Sequence, residues 1–373
     1  MNHRDISPPI HVSSTYEVSW QQAELLAQGD DSIPFYARYG NPTTRLVEAH
    51  LRDLCAPPDE KENFDAIVTS SGMAAVSLVM LGLLGSGDEI LASDSIYGGT
   101  TKLLRETLPR LGITTKFCRC DLSDASEKIS PRTKLLWIES PTNPANRLVK
   151  FGDAVALARK HDLISCIDAT LAPPPLQSPL ARGFDLEMHS ATKYLGGHSD
   201  LLAGAVIGRR DLIEKLRDAH RTFGAVLDPH AAFLLGRGLQ TLEVRMKQIN
   251  ETALRLSGWL ESQSNVARVH YLGLESHADH QNARAQMNGF SGIVAFDLAD
   301  ADAARDCVSR LNIIRHAPSL GGAETLVSYP PLSSHAGQSD AQLQAAGISR
   351  GTLRLAVGLE SFEILRDDLA QSF

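Results

Sequence analysis

Four segments between residues 64 and 175 share one form: an aliphatic, β-branched run that ends in a polar, glycine-rich or proline-rich turn. They read FDAIVTSSG (64–72), GDEILASDSIYGG (87–99), TKLLWIESPTNP (133–144) and LISCIDATLAPPP (163–175). Helical stretches separate them, so the pattern predicts an α/β fold. In open parallel sheets the loops after such strands gather at the carboxyl ends, where ligands bind. Each run therefore delivers a candidate site residue: Ser71 with Gly72, Tyr97, Asn143 and Asp168.

The longest apolar stretch, MAAVSLVMLGLLG (73–85), is far short of the roughly 20 residues a bilayer needs and predicts a buried helix. Beyond a long helical region near 228–262 the pattern shifts to short strands and helices such as GIVAFDL (292–298) and GTLRLAVGLE (351–360). This predicts three parts: an extended arm over 1–60, a large domain over 61–240, and a smaller α+β domain over 241–373. A formal charge of −8 gives no basic footprint for nucleic acid or an anionic membrane, which favours a small-molecule enzyme. The N-terminal stretch carries no apolar signal core and the five cysteines are scattered, so a reducing cytoplasm is expected. Cys118 and Cys120 alone supply too few ligands for zinc, and no metal is expected.

SATKYLGGHSD (190–200) sets Lys193 behind two hydroxyl residues and before two glycines. A solvated lysine, a phosphate-binding lysine and a Schiff-base lysine all suit the segment alone. SSGMAA (70–75) places small residues at a helix mouth, which either cap the helix or hold a phosphate. Neither a G-x-G-x-x-G after a strand nor a G-x-x-x-x-G-K-[ST] occurs, which weakens both nucleotide readings. Asp168 follows an apolar run and either caps a turn or meets a cation there. Taken together, Asp168 could hold a pyridinium nitrogen, Lys193 could form an aldimine, and Ser190 and Thr192 could bind a phosphate.

These motifs, with DSIYGGT, ESPTNP, YARYGNPT and SLGGAETL, resemble the Cys/Met-metabolism pyridoxal-phosphate enzymes, the group of cystathionine γ-synthase and cystathionine γ-lyase. The resemblance runs over nearly the whole chain, in the family's order. It implies a fold-type I, aspartate-aminotransferase-like architecture: a mixed, mostly parallel sheet with helices on both faces and a smaller C-terminal domain. It implies pyridoxal 5′-phosphate as cofactor, with Lys193 as the Schiff-base lysine, Asp168 as partner of the ring nitrogen and Tyr97 stacked on the ring. Gly72 and Met73 match the phosphate-binding amides, Ser190 and Thr192 the hydroxyl donors, and Asn143 the residue near the phenolic oxygen. Tyr36 and Arg38 match a pair that reaches the neighbouring subunit's cofactor, so at least a dimer, and a tetramer as dimer of dimers, is expected. Arg354 matches the arginine for the substrate α-carboxylate, with Ser319 nearby.

The resemblance further implies trans-sulfuration chemistry through a lysine aldimine and a quinonoid: γ-elimination or γ-replacement on a homoserine-derived or sulfur amino acid. Glu324 matches an acid of the γ-synthase and γ-lyase branches, and Gly98 stands where methionine γ-lyases carry cysteine. Tyr39 departs from the pattern at the expected mouth of the site, as do Ala169 and Leu171 after Asp168. These departures leave open a β-lyase on cystathionine or cysteine, and γ-replacement with a non-thiol nucleophile. An aminotransferase or desulfurase is disfavoured by the YARYGNPT arm and by the lack of a strong candidate catalytic cysteine. A non-catalytic scaffold is argued against by retention of Lys193, Asp168, Tyr97 and Arg354.

Overall fold

In the computed structural model, which describes residues 5–30, 32–337 and 339–373, the four runs become strands of one seven-stranded sheet. Its strands are β1 (Phe64–Thr69), β2 (Glu89–Ser93), β3 (Thr114–Cys118), β4 (Thr133–Glu139), β5 (Ile164–Asp168), β6 (Leu186–His189) and β7 (Gly204–Arg209), in the order β1-β7-β6-β5-β4-β2-β3. All neighbours pair parallel except at β7, which runs antiparallel to both β1 and β6. The expected mixed, mostly parallel sheet is therefore present.

The helices of this region are α1 (Trp20–Ala27), α2 (Pro42–Cys55), α3 (Gly72–Leu83), α4 (Gly98–Lys102), α5 (Ala125–Lys128), α6 (Phe151–Lys160), α7 (Arg210–Phe223), α8 (Pro229–Leu239) and α9 (Leu242–Glu261). Alternation of side chains along each strand feeds two apolar layers. Leu135 and Trp137 of β4 pack in the layer that holds α3 and α7, whereas Leu136 and Ile138 pack with α6. Ala66, Val68, Ala205 and Ile207 of β1 and β7 face α2, α8 and α9 instead. Because strands of this sheet are covered on both faces, they read as continuous apolar runs rather than alternating ones. Each fully buried aliphatic side chain contributes roughly 1.5–3 kcal/mol by leaving water.

The helical region near 228–262 is two helices. The LGRGL end of α8 carries two glycines of low helix propensity, and Arg245 of α9 donates back to the Gly238 carbonyl (2.8 Å) and to the Tyr194 carbonyl (2.8 Å). Those bonds add a side-chain donor at the end of α8 and tie α9 to the segment that carries Lys193.

A second sheet of five strands, β8 (Arg268–His270), β9 (Ile293–Asp297), β10 (Arg315–His316), β11 (Leu326–Ser328) and β12 (Thr352–Ala356), has the order β10-β11-β12-β9-β8. Only β10 and β11 pair in parallel. The apolar layer of this sheet is shared by α9 and the helix Phe362–Ala370. At the other end of the chain α1 buries none of its residues, and residues 14–16 are tied to 35–37 by backbone hydrogen bonds. Residues 1–4 and 31 of the expected arm lie outside the described residues. Among the described residues no helix is long and apolar enough to cross a membrane.

Candidate active site

A cleft of about 700 Å³ opens at the carboxyl ends of β4 and β5, the mouth of α3 and the edge of the second sheet. Ser71, Gly72, Met73, Tyr97, Asn143, Asp168, Ser190, Thr192, Lys193, Ser319 and Arg354 all line it. Residues spread over nearly 300 positions of sequence are thus brought to one place.

Lys193 follows β6 in a tight turn, its N–H bonded to the Ser190 carbonyl (3.0 Å). Its Nζ donates to Ser319 Oγ (2.7 Å). Burial, with the Arg354 guanidinium as a second cause, lowers its ammonium to a pKa of about 8. Ser319 sits at φ +109°, a left-handed conformation costly for a residue with a side chain, and its carbonyl accepts from Arg354 Nη2 (2.6 Å). One serine thus orients both cations. Arg354 Nη1 reaches Asn143 Oδ1 (3.3 Å), while its Nε is buried without a partner. Burial draws this guanidinium down to about 10, so an arriving carboxylate would repay desolvation already incurred.

Asp168 and Glu139 end neighbouring strands in register and are both buried. Burial raises the Asp168 carboxyl, opposed by hydrogen bonds from Thr170 and by nearby His189. Glu139 is pushed well above the carboxylate range by burial and then by the Asp168 charge, so it is the member of the pair that keeps a proton. Its Oε2 accepts the Tyr97 N–H (2.6 Å), which ties the loop after β2 to β4. Sequence reasoning missed Glu139, although its place at the end of a β-rich run matches that of Asp168. Substituting Glu139→Gln should preserve the Tyr97 contact and change kcat/KM by no more than about threefold, whereas Glu139→Ala should lower it by about 10- to 100-fold through displacement of Tyr97. Steady-state kinetics on both variants separate brace from acid: equal losses would mean the carboxyl itself matters.

The first N–H groups of α3, on Gly72 and Met73, have no intrahelical acceptor, and Ser71 caps the helix by accepting from Ala74 N–H (3.1 Å). A Cβ at Gly72 would lie 2.8 Å from Ser190 Oγ, so only glycine lets the hydroxyl approach the helix mouth. Similarly, a Cβ at Gly99 would lie 2.5 Å from the Tyr97 ring, which folds over its own turn. A reactive amine, a buried acid, an anion-binding helix mouth and an aromatic ring in one cleft fit pyridoxal phosphate. Thr192 is also present, but its hydroxyl donates to the Ala203 carbonyl (3.1 Å) and accepts the Ala203 N–H (3.0 Å).

Other expected residues stand elsewhere. Arg38 Nη1 donates to the Arg221 carbonyl (2.6 Å), with its guanidinium 4.8 Å from the Tyr39 ring centroid and 5.4 Å from that of Tyr36. None of the three lines the cleft of its own chain, so Tyr39 is not at this mouth. Glu324 lines a neighbouring depression that shares Thr192, Leu202, Pro318 and Ser319 with the cleft, and it accepts from Ser199. Ser333 and Ser334 join the cleft from the segment after β11, with no signal in the sequence. Cys118 and Cys120 are buried and free, and burial raises both thiols to about 12. Away from the cleft, Cys55, Glu187 and His189 bring ligand-type atoms within 4.8 Å of one another. His189 Nε2 and Glu187 Oε1 stand at 2.7 Å, a hydrogen-bond distance.

The family model for Cys/Met metabolism PLP-dependent enzymes matches residues 1–373. A cystathionine β-lyase of Lactococcus lactis subsp. cremoris (strain MG1363) is 35% identical over 369 residues, 98% of this chain and 93% of that protein. A cystathionine γ-lyase of Bacillus subtilis (strain 168) is 35% identical over 370 residues, 98% and 94% respectively. Among solved structures, a putative O-acetylhomoserine (thiol)-lyase of Campylobacter jejuni superposes with a TM-score of 0.93 at 29% identity, covering 100% of this chain and 96% of that one. That structure holds a pyridoxyl-lysine monophosphate.

Proposed function

The chain belongs to the Cys/Met-metabolism family of pyridoxal-phosphate-dependent enzymes, and from that premise we propose that it catalyses γ-elimination or γ-replacement on a homoserine-derived or sulfur-containing amino acid. Bound pyridoxal phosphate supplies an electron sink for negative charge developing at Cα. The chain's residues do the rest. Gly72, Met73 and Ser190 hold the phosphate at the mouth of α3, and Asp168 holds the proton on the ring nitrogen. Arg354 and Asn143 orient the substrate carboxylate, which presents Cα to Lys193. Lys193, poised near pH 8, takes the Cα proton and then moves a proton at Cβ, which lets a group leave from Cγ. Tyr97, half exposed over the cleft, is placed to deliver a proton to the leaving group.

The observation that carries this reading is the Lys193–Ser319–Arg354 chain, which sets amine and carboxylate anchor side by side. Glu324, one wall away, supports γ-chemistry. The similarity to cystathionine β-lyases favours β-elimination as the second reading. Purified enzyme tested in deuterated water against O-acyl homoserines, cystathionine, methionine and cysteine separates the two: γ-replacement leaves deuterium at Cα and Cβ of the product amino acid, and γ-elimination leaves it at Cβ of a four-carbon 2-oxo acid, whose Cα is a carbonyl. Turnover of β-substituted amino acids alone, with no Cβ exchange from any homoserine derivative, would establish the β-lyase instead.

Only the unprotonated Lys193 amine can attach the cofactor. The rate at which cofactor-free protein takes up pyridoxal phosphate should therefore climb with pH and level off above about pH 8, followed by absorbance. A rate still climbing about tenfold per pH unit beyond pH 9, as for an ordinary lysine, would contradict the lowered amine.

We read the chain as a cytoplasmic homo-oligomer, a dimer at least, whose 1–60 arm completes its neighbour's site. The position of Tyr36 and Arg38 outside their own cleft supports this, as does an α1 whose Trp20 is 84% exposed with no core to join in its own chain. Light scattering should find a dimer or tetramer, and an active monomer would refute the shared site.

A further inference from the structure

We propose that Asn146 is a positioning residue that sets the carboxylate-binding pair Arg354 and Asn143; the inference rests on the reading that Arg354 binds the substrate carboxylate. Asn143 and Arg354 come from different sheets: Asn143 lies in the loop after β4, and Arg354 in β12. Their 3.3 Å contact exists only if that loop keeps a fixed height against the second sheet.

Asn146 supplies that height. It is fully buried, and its Nδ2 donates to two carbonyls of the second sheet, His270 at the end of β8 and Ile293 at the start of β9, both at 2.9 Å. His270 and Arg354 both pair with Ala295, on opposite sides of β9, so Asn146 grips the sheet at the row that carries the arginine. Its backbone lies at φ +53°, where asparagine is among the few tolerated residues, and its N–H closes a turn onto the Thr142 carbonyl (3.0 Å). Asn143 sits inside that turn. Its other neighbours pin the same loop, with Arg147 Nε on Asp279 Oδ2 at 2.6 Å. Asn146 Oδ1 is buried without a partner, so the residue is placed for what its Nδ2 reaches. Displacing a binding group by about 1 Å is enough to cost about a hundredfold in a reaction that depends on orientation.

The experiment uses holoenzyme carrying Asn146→Gly, because glycine accepts the left-handed backbone and removes only the side chain. Cofactor absorbance reports binding of L-alanine and of ethylamine, which lacks the carboxylate, and the ratio of the two dissociation constants measures carboxylate recognition. Asn146→Gly should collapse that ratio by about tenfold or more, with ethylamine binding and cofactor content unchanged. A purely structural residue would lower the melting temperature and leave the ratio intact, and that result overturns the proposal. Arg354→Leu run in parallel separates the premises: if it too leaves the ratio intact, the carboxylate reading fails; if only Asn146→Gly does, the positioning role alone fails. Should the glycine variant not fold, Asn146→Ser, whose single, shorter hydroxyl cannot donate to both carbonyls, is read in the same way.

Discussion

Lys193→Ala should purify as a folded protein that is colourless, cannot be linked to pyridoxal phosphate by borohydride at that position, and turns over at least about a thousandfold more slowly than wild type. The size follows from the two duties that fall on one amine. As the covalent anchor it holds the cofactor, and as the base it shuttles protons at Cα and Cβ, a role that by itself is worth about 10²–10⁴ in rate. No other amine among the residues lining the cleft replaces it, since the remaining cation there is Arg354. The fold should survive, because the Nζ contributes only the Ser319 contact and loses a desolvation cost when removed. Peptide mapping after borohydride treatment of wild type should find the cofactor on Lys193. A variant that kept its visible absorbance and its activity would remove Lys193 from the chemistry.

Arg354→Leu should lose roughly 2–5 kcal/mol of substrate binding, about thirty- to several-thousand-fold in kcat/KM, because a buried carboxylate would be left without its charge partner. Lysine at this position should rescue little, since the planar guanidinium meets Asn143 and Ser319 with separate nitrogens while its Nε stays open. A second consequence separates this residue from a purely structural arginine. The Arg354 charge disfavours the protonated form of Lys193, so its removal should raise the Lys193 pKa and move the acid limb of the pH–rate profile to higher pH. A profile that stayed in place, with KM unaltered, would mean that the guanidinium serves packing alone.

Much of the cleft was legible in the sequence because parallel sheets deliver their loops to one end. Ser71, Gly72, Tyr97, Asn143 and Asp168 each follow a β-rich run, and that rule needs no knowledge of which strands are neighbours. The same logic could have reached Glu139, which ends β4 beside Asp168. It could not have found Ser333 and Ser334, which follow the short strand β11 of the second sheet rather than a β-rich run of the first. Nor could it have found the reversed β7, whose residues read like those of any other buried strand.

By itself the sequence determined the α/β class, the presence of Lys193 among phosphate-type donors, and the family whose motifs the chain carries, because these depend on local pattern and on order along the chain. Only the tertiary structure decided the relations across the cleft. It buried Glu139 beside Asp168, so that the Asp168 charge adds to burial in raising the Glu139 carboxyl. It turned Arg38 and Tyr39 away from their own cleft and hung Asn143 on Arg354 through a loop fastened by Asn146. Charge, burial and hydrogen-bond reach are set by distances between residues far apart in the chain, and no spacing in the sequence encodes them directly.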